Sequence, residues 1–425
     1  MSHDTSAHPP PGTVTASLPD VPLGPTPANQ RLLTLDVLRG LALLGILVMN
    51  IRGFAGLGAT YMNPQVHGPM NAADHAVWWL TSVFADAKFM TLFSLLFGAG
   101  VVLMYQRRDA DGLPSAKLHY RRMVGLLIIG LIHAYFIWFG DILVTYALCG
   151  MLLYPLRKLR AGWLFAMGVA ALAFGALLMA FFGFAMTKMP AEELAELEAF
   201  MNPPPDVIAE EVEAYRGGFV AQLVFRAPVA LETQTFFFLI WGLWRAGGVM
   251  LLGMALMKWG VPGGQASDKA YGTLITLGAV VGLPLVVLGM FAFPAESRDS
   301  MQSFFFGGLW NYVGSLFLAG AYLAAVVWLC RKPGVWTKPL AAMGRMSLTN
   351  YLMQSVICTL LFYGTISPYP LFGRLGYAEQ MLVVLAVWAV QLAWSPWWLK
   401  RYRMGPMEWL WRWWSYGKRP AFRHV

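Results

Sequence analysis

Long apolar stretches recur along this sequence, and most approach the length that a helix needs to cross a bilayer, about 20 residues. A soluble enzyme is excluded, because 58% of the 425 residues are hydrophobic and only 12% are charged, against about 25% charged in average domains. We therefore predict an all-α fold, a polytopic membrane helix bundle of about ten transmembrane helices. The fourth stretch is short, and the second is long enough to break near Asp86 and Lys88. The approximate bounds are 35–56, 76–105, 122–139, 142–156, 161–187, 231–257, 271–293, 303–330, 340–364 and 379–399.

Basic residues follow the even-numbered stretches, and this asymmetry orients the bundle. Arg107 and Arg108 follow the second stretch, and Arg331 and Lys332 follow the eighth. Cytoplasmic loops carry an excess of Lys and Arg, so both termini are predicted to be cytoplasmic. The same loops account for the net charge of +9, and no nucleic-acid partner is expected.

Three regions are predicted along the chain. Residues 1–30 contain no apolar run and are predicted to be a disordered cytoplasmic tail. Residues 31–400 form the transmembrane bundle, with an external segment at about 188–226 that holds eight acidic and three basic residues. We interpret this segment as a solvated lid, with an acidic docking surface as the alternative. Residues 401–425 mix aromatic and basic residues, which is typical of a cytoplasmic interfacial tail on membrane lipid.

Ionisable residues inside the apolar stretches are functional hypotheses, because charge is costly in a bilayer. Asp36 and Arg39 are three residues apart, so they share a helix face and are expected to pair. Asn50 lies toward the far end of the same stretch. The pair is interpreted either as an interfacial anchor or as part of a site for an anionic group such as a phosphate.

The second stretch carries two further pairs of ionisable residues. Asp74 and His75 lie at its external boundary, where a histidine can act as a general base and a carboxylate can orient it. The alternative is a pair of interfacial polar residues. Asp86 and Lys88 are two residues apart and do not face each other on one regular helix. Each is therefore expected to pair elsewhere in the bundle.

His133 and Asp141, in the third stretch, are eight residues apart, which is about two helical turns. If the helix continues, they share a face roughly 12 Å apart, too far for direct contact. The histidine is interpreted either as a structural, hydrogen-bonded residue or as half of a proton-handling pair. In the second case a substrate or a third residue would bridge the pair.

A polar stripe of Arg345, Asn350 and Gln354 enters the ninth stretch. Asn350 and Gln354 face one way on a helix, and such residues often join transmembrane helices. Substrate binding is the alternative. The sequence contains no spacing typical of a metal site or of a cofactor-binding motif, so neither a metal nor a cofactor is expected.

Several motifs together resemble a known family, the YeiB-like bacterial inner-membrane proteins, whose domain of unknown function is number 418. The resemblance covers about residues 31–417 and implies a multi-pass protein of the bacterial inner membrane. The opening Leu-Asp-x-x-Arg-Gly is also similar to that of two groups of transmembrane acyltransferases, heparan-glucosaminide acetyltransferase-like and acyltransferase-3-like. Those enzymes move an acyl group from a cytoplasmic donor, often acyl-CoA, to an acceptor across the membrane. The motifs lie at 35–51, 88–100, 130–143, 344–363 and 405–412.

The resemblance and the buried charges lead to two main functional hypotheses. In a transmembrane acyltransferase, cations bind the donor, a histidine deprotonates the acceptor, and a carboxylate orients the histidine. In a transporter or flippase for a small or lipid-linked solute, the same charges line a path. An accessory membrane subunit is a third possibility, and the Met- and Gly-rich helix surfaces permit a homo-oligomer. For the acyltransferase, the candidate catalytic residues are His133, Asp141, His75 and Asp74, and the candidate binding residues are Asp36, Arg39, Asn50, Lys88, Arg345, Asn350 and Gln354.

Overall fold

A computed structural model describes residues 32–66, 68–298 and 300–424, so the predicted tail at 1–30 lies outside the described residues. Within those ranges the chain is helical and has no β-strand beyond one isolated bridge between Tyr402 and Arg423. The all-α prediction is confirmed. The helices are α1 (Leu33–Ala55), α2 (Ala72–Phe84), α3 (Lys88–Ala110), α4 (Ala116–Phe136), α5 (Leu143–Leu153), α6 (Ala161–Met186), α7 (Ala191–Glu198), α8 (Pro205–Arg216), α9 (Phe219–Glu232), α10 (Gly248–Lys258), α11 (Asp268–Leu277), α12 (Leu283–Ala292), α13 (Met301–Leu329), α14 (Thr337–Arg345), α15 (Ser347–Phe362), α16 (Tyr377–Leu399) and α17 (Pro406–Tyr416).

Seven helical segments of the described chain are long and apolar enough to cross a membrane. The other three predicted stretches are also helical, but they differ in composition or length. Helix α4 begins with several basic residues, while α5 has 11 residues and α15 has 16. A helical membrane bundle is therefore established, and the number ten stays a prediction. The seven segments are Leu33–Ala55, Ala72–Ala110, Ala161–Met186, Phe219–Lys258, Asp268–Ala292, Met301–Leu329 and Tyr377–Leu399.

Loops that are predicted to share one side of the membrane contact one another. At the predicted cytoplasmic end, Lys258 donates a hydrogen bond to the Leu159 carbonyl at 2.8 Å. Arg331 pairs with Asp268 at 2.6 Å at the same end. These contacts join loops that follow three different even-numbered stretches, as alternating passages through a membrane require.

The acidic segment at 188–226 folds into α7, α8 and the start of α9. Glu211 on α8 accepts the backbone N–H of Gly58 at 3.0 Å, and Arg216 donates to the Phe372 carbonyl at 2.7 and 2.9 Å. Burial raises the pKa of Glu211, and the Gly58 hydrogen bond opposes that shift. The segment therefore packs on two other loops of the predicted external end, and its function as a lid stays a prediction.

The long second stretch breaks where the sequence allowed it. Helix α2 ends at Phe84 and α3 begins at Lys88. Between them Ala87 has a φ of 62°, in the left-handed region that residues with a Cβ rarely adopt. This break turns Asp86 and Lys88 out of a single helical register.

Two glycines set the contact between α3 and α10. A Cβ at Gly98 would lie 2.0 Å from the Met250 carbonyl oxygen, and one at Gly253 would lie 2.0 Å from the Leu95 carbonyl oxygen. The backbones therefore approach more closely than any larger residue permits. This contact fixes how α3 is rotated, and with it which side chains of α3 face the interior.

The C-terminal segment forms α17, which packs across α4. Trp411 donates its indole N–H to the Arg122 carbonyl at 2.7 Å, and Arg121 donates to the Trp414 carbonyl at 2.8 Å. Gly125 on α4 leaves room for Trp414, because a Cβ there would lie 2.5 Å from that ring. The aromatic and basic tail thus forms a wall of the bundle at the predicted cytoplasmic end.

Candidate functional site

A cavity of about 830 Å³ opens among α1, α3, α4, α15 and α17. Its charge is strongly unbalanced, because seven arginines and only three carboxylates line it. The arginines come from loops and helix ends that are distant in sequence but lie at the predicted cytoplasmic end. The carboxylates are Asp36, Asp111 and Glu408, and the arginines are Arg39, Arg107, Arg108, Arg122, Arg345, Arg403 and Arg412.

The predicted pair of Asp36 and Arg39 is present in this cavity. Arg39 Nη1 lies 3.1 Å from Asp36 Oδ1, across one turn of α1. Gly100 on α3 faces the pair, and a Cβ there would lie 4.0 Å from Arg39 Nη2. Arg345 lines the same cavity. The structure thus brings three predicted binding residues together around one space.

Glu408 forms part of the cavity wall and joins α17 to α15. Its carboxylate accepts the backbone N–H groups of Leu348 and Thr349 at 2.7 and 3.0 Å, and the Thr349 hydroxyl at 2.5 Å. These N–H groups belong to the first turn of α15, which has no partner for them within the helix. Burial raises the pKa of Glu408, and the hydrogen bonds lower it. The carboxylate is therefore an N-terminal cap supplied by another helix.

Apolar and tyrosine side chains form the inner end of the cavity. Ile142, Leu143, Tyr146 and Tyr351 line it there, beyond the arginines. The Tyr351 hydroxyl accepts the Ile142 N–H at 3.4 Å, which is a long contact for a hydrogen bond. Behind Tyr351 lies the imidazole of His133, with ring centroids 5.2 Å apart. One aromatic side chain thus separates the cavity from His133.

His133 and Asp141 are in direct contact, so the expected 12 Å separation was wrong. His133 Nδ1 lies 2.7 Å from Asp141 Oδ2. Helix α4 ends at Phe136, and the N–H groups of Ile137 and Trp138 both bond to the His133 carbonyl. The chain then turns back and brings the aspartate beside the imidazole.

A third residue completes this cluster. His133 Nε2 lies 2.8 Å from Ser355 Oγ on α15. Ser355 was not predicted as a site residue, although it directly follows Gln354 in the polar stripe. The arginines of the cavity other than Arg39 and Arg345 were also missed as binding residues, because basic residues near membrane helices were interpreted as topology signals.

Asp74 and His75 lie away from the cavity and do not pair with each other. The Asp74 carboxylate accepts the backbone N–H of Ala378 at 2.8 Å, and the backbone N–H of Asp74 donates to Oδ1 of the Asn71 cap at 2.9 Å. The half-exposed His75 has Nε2 3.9 Å from Glu296 Oε1. The carboxylate of Asp74 therefore does not orient the imidazole of His75, whereas the carboxylate of Asp141 does contact the imidazole of His133.

Lys88 and Asp86 do not contact each other directly, as their spacing predicted, and both form hydrogen bonds with the same partner, Asn311. Lys88 Nζ donates to Asn311 Oδ1 at 2.6 Å and to the Ser82 carbonyl at 2.8 Å, while Asn311 Nδ2 donates to Asp86 Oδ2 at 2.8 Å. A smaller cavity of about 110 Å³ lies beside them, lined in part by Asp86, Asn311 and Arg298. Lys88 is therefore not part of the arginine-lined cavity.

Asn350 and Gln354 join helices. Asn350 Nδ2 donates to Ser395 Oγ at 3.0 Å, and Gln354 Nε2 donates to Gln391 Oε1 at 2.9 Å. Both contacts link α15 to α16, which agrees with the helix-joining interpretation. Asn50, half-buried on α1, does not line the cavity either.

Comparisons with known proteins give one consistent result. A family model described as a protein of unknown function, DUF418, matches residues 256–418. The uncharacterized protein YeiB of Escherichia coli (strain K12) is 30% identical over 413 residues, which cover 90% of this chain and 96% of that protein. The uncharacterized protein YxaH of Bacillus subtilis (strain 168) is 31% identical over 411 residues, 92% of this chain and 95% of that protein. An uncharacterized 39.9 kDa protein of Bacillus acidopullulyticus is 28% identical over 399 residues, which cover 93% of this chain and 97% of that protein.

Proposed function

This chain belongs to the DUF418 family, and on that premise we propose that it is an acyltransferase of the bacterial inner membrane. It takes an acyl group from acyl-CoA at the cytoplasmic face and transfers it to an acceptor on the other side. The observation that carries this proposal is the arginine-lined cavity, whose inner end lies one side chain from His133.

The charge and size of the cavity suit coenzyme A. The donor carries a diphosphate and a 3′-phosphate, and guanidinium groups bind phosphates through paired, charge-assisted hydrogen bonds. Seven arginines against three carboxylates leave a strongly positive lining. The volume of about 830 Å³ falls in the usual range of about 300–1,000 Å³ for ligand sites.

The cavity lining also changes character along its length. The arginines lie toward the predicted cytoplasmic mouth, and Ile142, Leu143 and Tyr146 line the inner end. This order matches the donor, whose phosphates lie at one end and whose thioester and acyl chain lie at the other. The thioester would then approach Tyr351, with the His133–Asp141 pair behind it.

Titration calorimetry of the purified protein with acetyl-CoA and octanoyl-CoA tests this proposal. Arg39→Ala is expected to weaken binding by about 10- to 150-fold, since a hydrogen bond to a charged group contributes about 1.5–3 kcal/mol. Arg401→Ala is the matched control, because Arg401 lies over the Trp397 ring and does not line the cavity. If neither thioester nor free CoA binds, the proposal is wrong.

A transporter or flippase is the second candidate, and the buried cations Lys88 and Arg245 favour it. Both side chains are fully buried, and no carboxylate among the described residues lies within ion-pair distance of either. Such cations inside a membrane often mark an ion path. Counterflow of radiolabelled inorganic phosphate in proteoliposomes, abolished by Lys88→Met, would support transport. Acyl transfer by a protein without counterflow would exclude phosphate transport.

A further inference from the structure

His133 has both ring nitrogens occupied by buried partners. Nδ1 contacts the Asp141 carboxylate at 2.7 Å, and Nε2 contacts the Ser355 hydroxyl at 2.8 Å. The three residues are 1%, 5% and 1% exposed. A carboxylate, an imidazole and a hydroxyl in this order form the arrangement in which a histidine activates a serine as a nucleophile.

The surrounding structure fixes the orientation of the carboxylate. Asp141 Oδ1 accepts the backbone N–H of Val144 at 2.8 Å, so its other oxygen faces the imidazole. Gly130 on α4 lets this loop lie close, because a Cβ there would be 2.8 Å from Val144 N and 3.0 Å from Asp141 Oδ1. The orienting group of the cluster is therefore held rigidly.

The occupied nitrogens restrict what His133 can do as a base. With Nδ1 on Asp141, only Nε2 is available to accept a proton, and the hydroxyl within its reach belongs to Ser355. An acceptor molecule would have to displace Ser355 before the histidine could deprotonate it directly. The geometry therefore favours a serine nucleophile over direct attack by the acceptor.

We propose that Ser355 carries the acyl group as a covalent ester between donor and acceptor. This inference rests on the proposed function, which supplies the thioester. Ser355 Oγ attacks the thioester carbonyl while His133 accepts the hydroxyl proton. The carbon–sulfur bond breaks, and the thiolate takes that proton and leaves as the free thiol of CoA.

The second half of the reaction returns the enzyme to its starting state. An acceptor hydroxyl or amine attacks the Ser355 ester and gives its proton to His133. The bond between the acyl carbon and Ser355 Oγ breaks, and Oγ takes the proton back from the imidazolium. Atoms and charges balance without an oxidant, a reductant or a further co-reactant.

The position of Ser355 gives the ester a role in crossing the membrane. Tyr351 lines the cavity, and Ser355 lies one helical turn further along α15, about 6 Å along the axis. The neighbouring loop at 137–142 is predicted to be external. An acyl group loaded from the cytoplasmic cavity would therefore pass Tyr351 and be held closer to the external side. The contact between the Tyr351 hydroxyl and Ile142 N is long, 3.4 Å, so movement of this tyrosine loses little hydrogen-bond energy.

Labelling with an alkyl fluorophosphonate tests the nucleophile without assuming a donor. The full-length protein in nanodiscs should be labelled on Ser355, and Ser355→Ala and His133→Ala should not be labelled. Asp141→Asn should slow labelling by on the order of 10,000-fold, as when the orienting aspartate of a triad is replaced. Tyr351→Ala should speed it, since the probe enters past that ring. The matched control is Thr359→Ala, which removes an exposed hydroxyl of the same helix.

A purely structural cluster predicts a different result. In that case neither the wild type nor Tyr351→Ala is labelled on Ser355, and the proposal is overturned. Ser355→Cys guards against misfolding of the alanine variant, because a thiol at that position keeps both the hydrogen bond and the nucleophile. Alkylation of that cysteine by iodoacetamide supports the assignment only if it is lost when His133→Ala is added to Ser355→Cys.

Mass spectrometry after incubation with acetyl-CoA or octanoyl-CoA separates this inference from the proposed function. An acyl ester on Ser355, lost in Ser355→Ala while acyl-CoA still binds, supports both. Binding and acyl transfer without any ester on the wild type overturn the ester and leave the acyltransferase intact. Fluorophosphonate labelling without acyl-CoA binding keeps the nucleophile and overturns acyl-CoA as the donor.

Discussion

Replacement of Glu408 by alanine should destabilise the protein by about 2–4 kcal/mol. The substitution leaves the N–H groups of Leu348 and Thr349 without their acceptor at the start of α15. Each unsatisfied buried donor costs about 1–3 kcal/mol, and loss of a helix cap typically costs about 1 kcal/mol. Water from the adjoining cavity can bond to these N–H groups and replace part of the lost hydrogen bonding. The expected destabilisation is therefore smaller than the sum of the maximal values.

The assay is thermal and denaturant unfolding of the protein in nanodiscs, with acyl-CoA binding as a second readout. Glu408 also ties α17 to α15, so loss of the carboxylate should weaken binding in a cavity that both helices line. Glu408→Gln should lose less stability, because its amide oxygen can still accept one N–H. Glu193→Ala, on the exposed face of α7, is the control. A change below about 0.5 kcal/mol for Glu408→Ala, the size of an ordinary surface substitution, would refute the cap.

Three further predictions concern the rest of the bundle. Gly253→Ala should destabilise the protein by at least about 1–3 kcal/mol through overpacking against α3. The control Gly272→Ala, whose added Cβ meets open space, should stabilise α11 by up to about 1 kcal/mol. Equal melting temperatures for the two variants would contradict the close contact between Gly253 and α3. Burial raises the pKa of Glu211 above 4.5, so the folded protein loses stability as the pH rises through that pKa. Between pH 4.5 and about 8, the melting temperature of Glu211→Gln should therefore fall less than that of the wild type. Parallel plots of melting temperature against pH for the two proteins would contradict this role of Glu211. Asn311→Ala should destabilise the protein by about 1.5–3 kcal/mol, because it removes an acceptor from the buried ammonium of Lys88. Adding Lys88→Met to that variant should restore stability. If stability does not recover, the charge of Lys88 is not the cause of the destabilisation.

Spacing along one helix was enough to predict several contacts. Asp36 and Arg39 pair because residues three apart lie on one helix face wherever that helix is placed. Asn350 and Gln354 point toward a neighbouring helix for the same reason. Asp86 and Lys88 could be excluded as a direct pair from their spacing, although their common partner Asn311 could not be identified.

Contacts that depend on where a helix ends were not predictable in the same way. The predicted separation of His133 and Asp141 was wrong because α4 ends at Phe136. This end lies within an apolar run that contains no proline to indicate it. Ser355 joins that pair across 222 positions of sequence. No local pattern encodes such a contact, because it depends on how α4 and α15 pack.

The sequence by itself determined that this is a helical membrane protein, where its apolar segments lie, and which loops are predicted to share a side. These properties follow from hydropathy and charge, which act segment by segment and need no knowledge of neighbours. Only the tertiary structure decided that arginines from separate segments line one cavity and that a serine lies against the His133–Asp141 pair. Both results depend on the rotation and depth of each helix, which close backbone contacts such as that of Gly253 with α3 set. Such contacts form between residues far apart in sequence, so the periodicity of any one segment does not contain them.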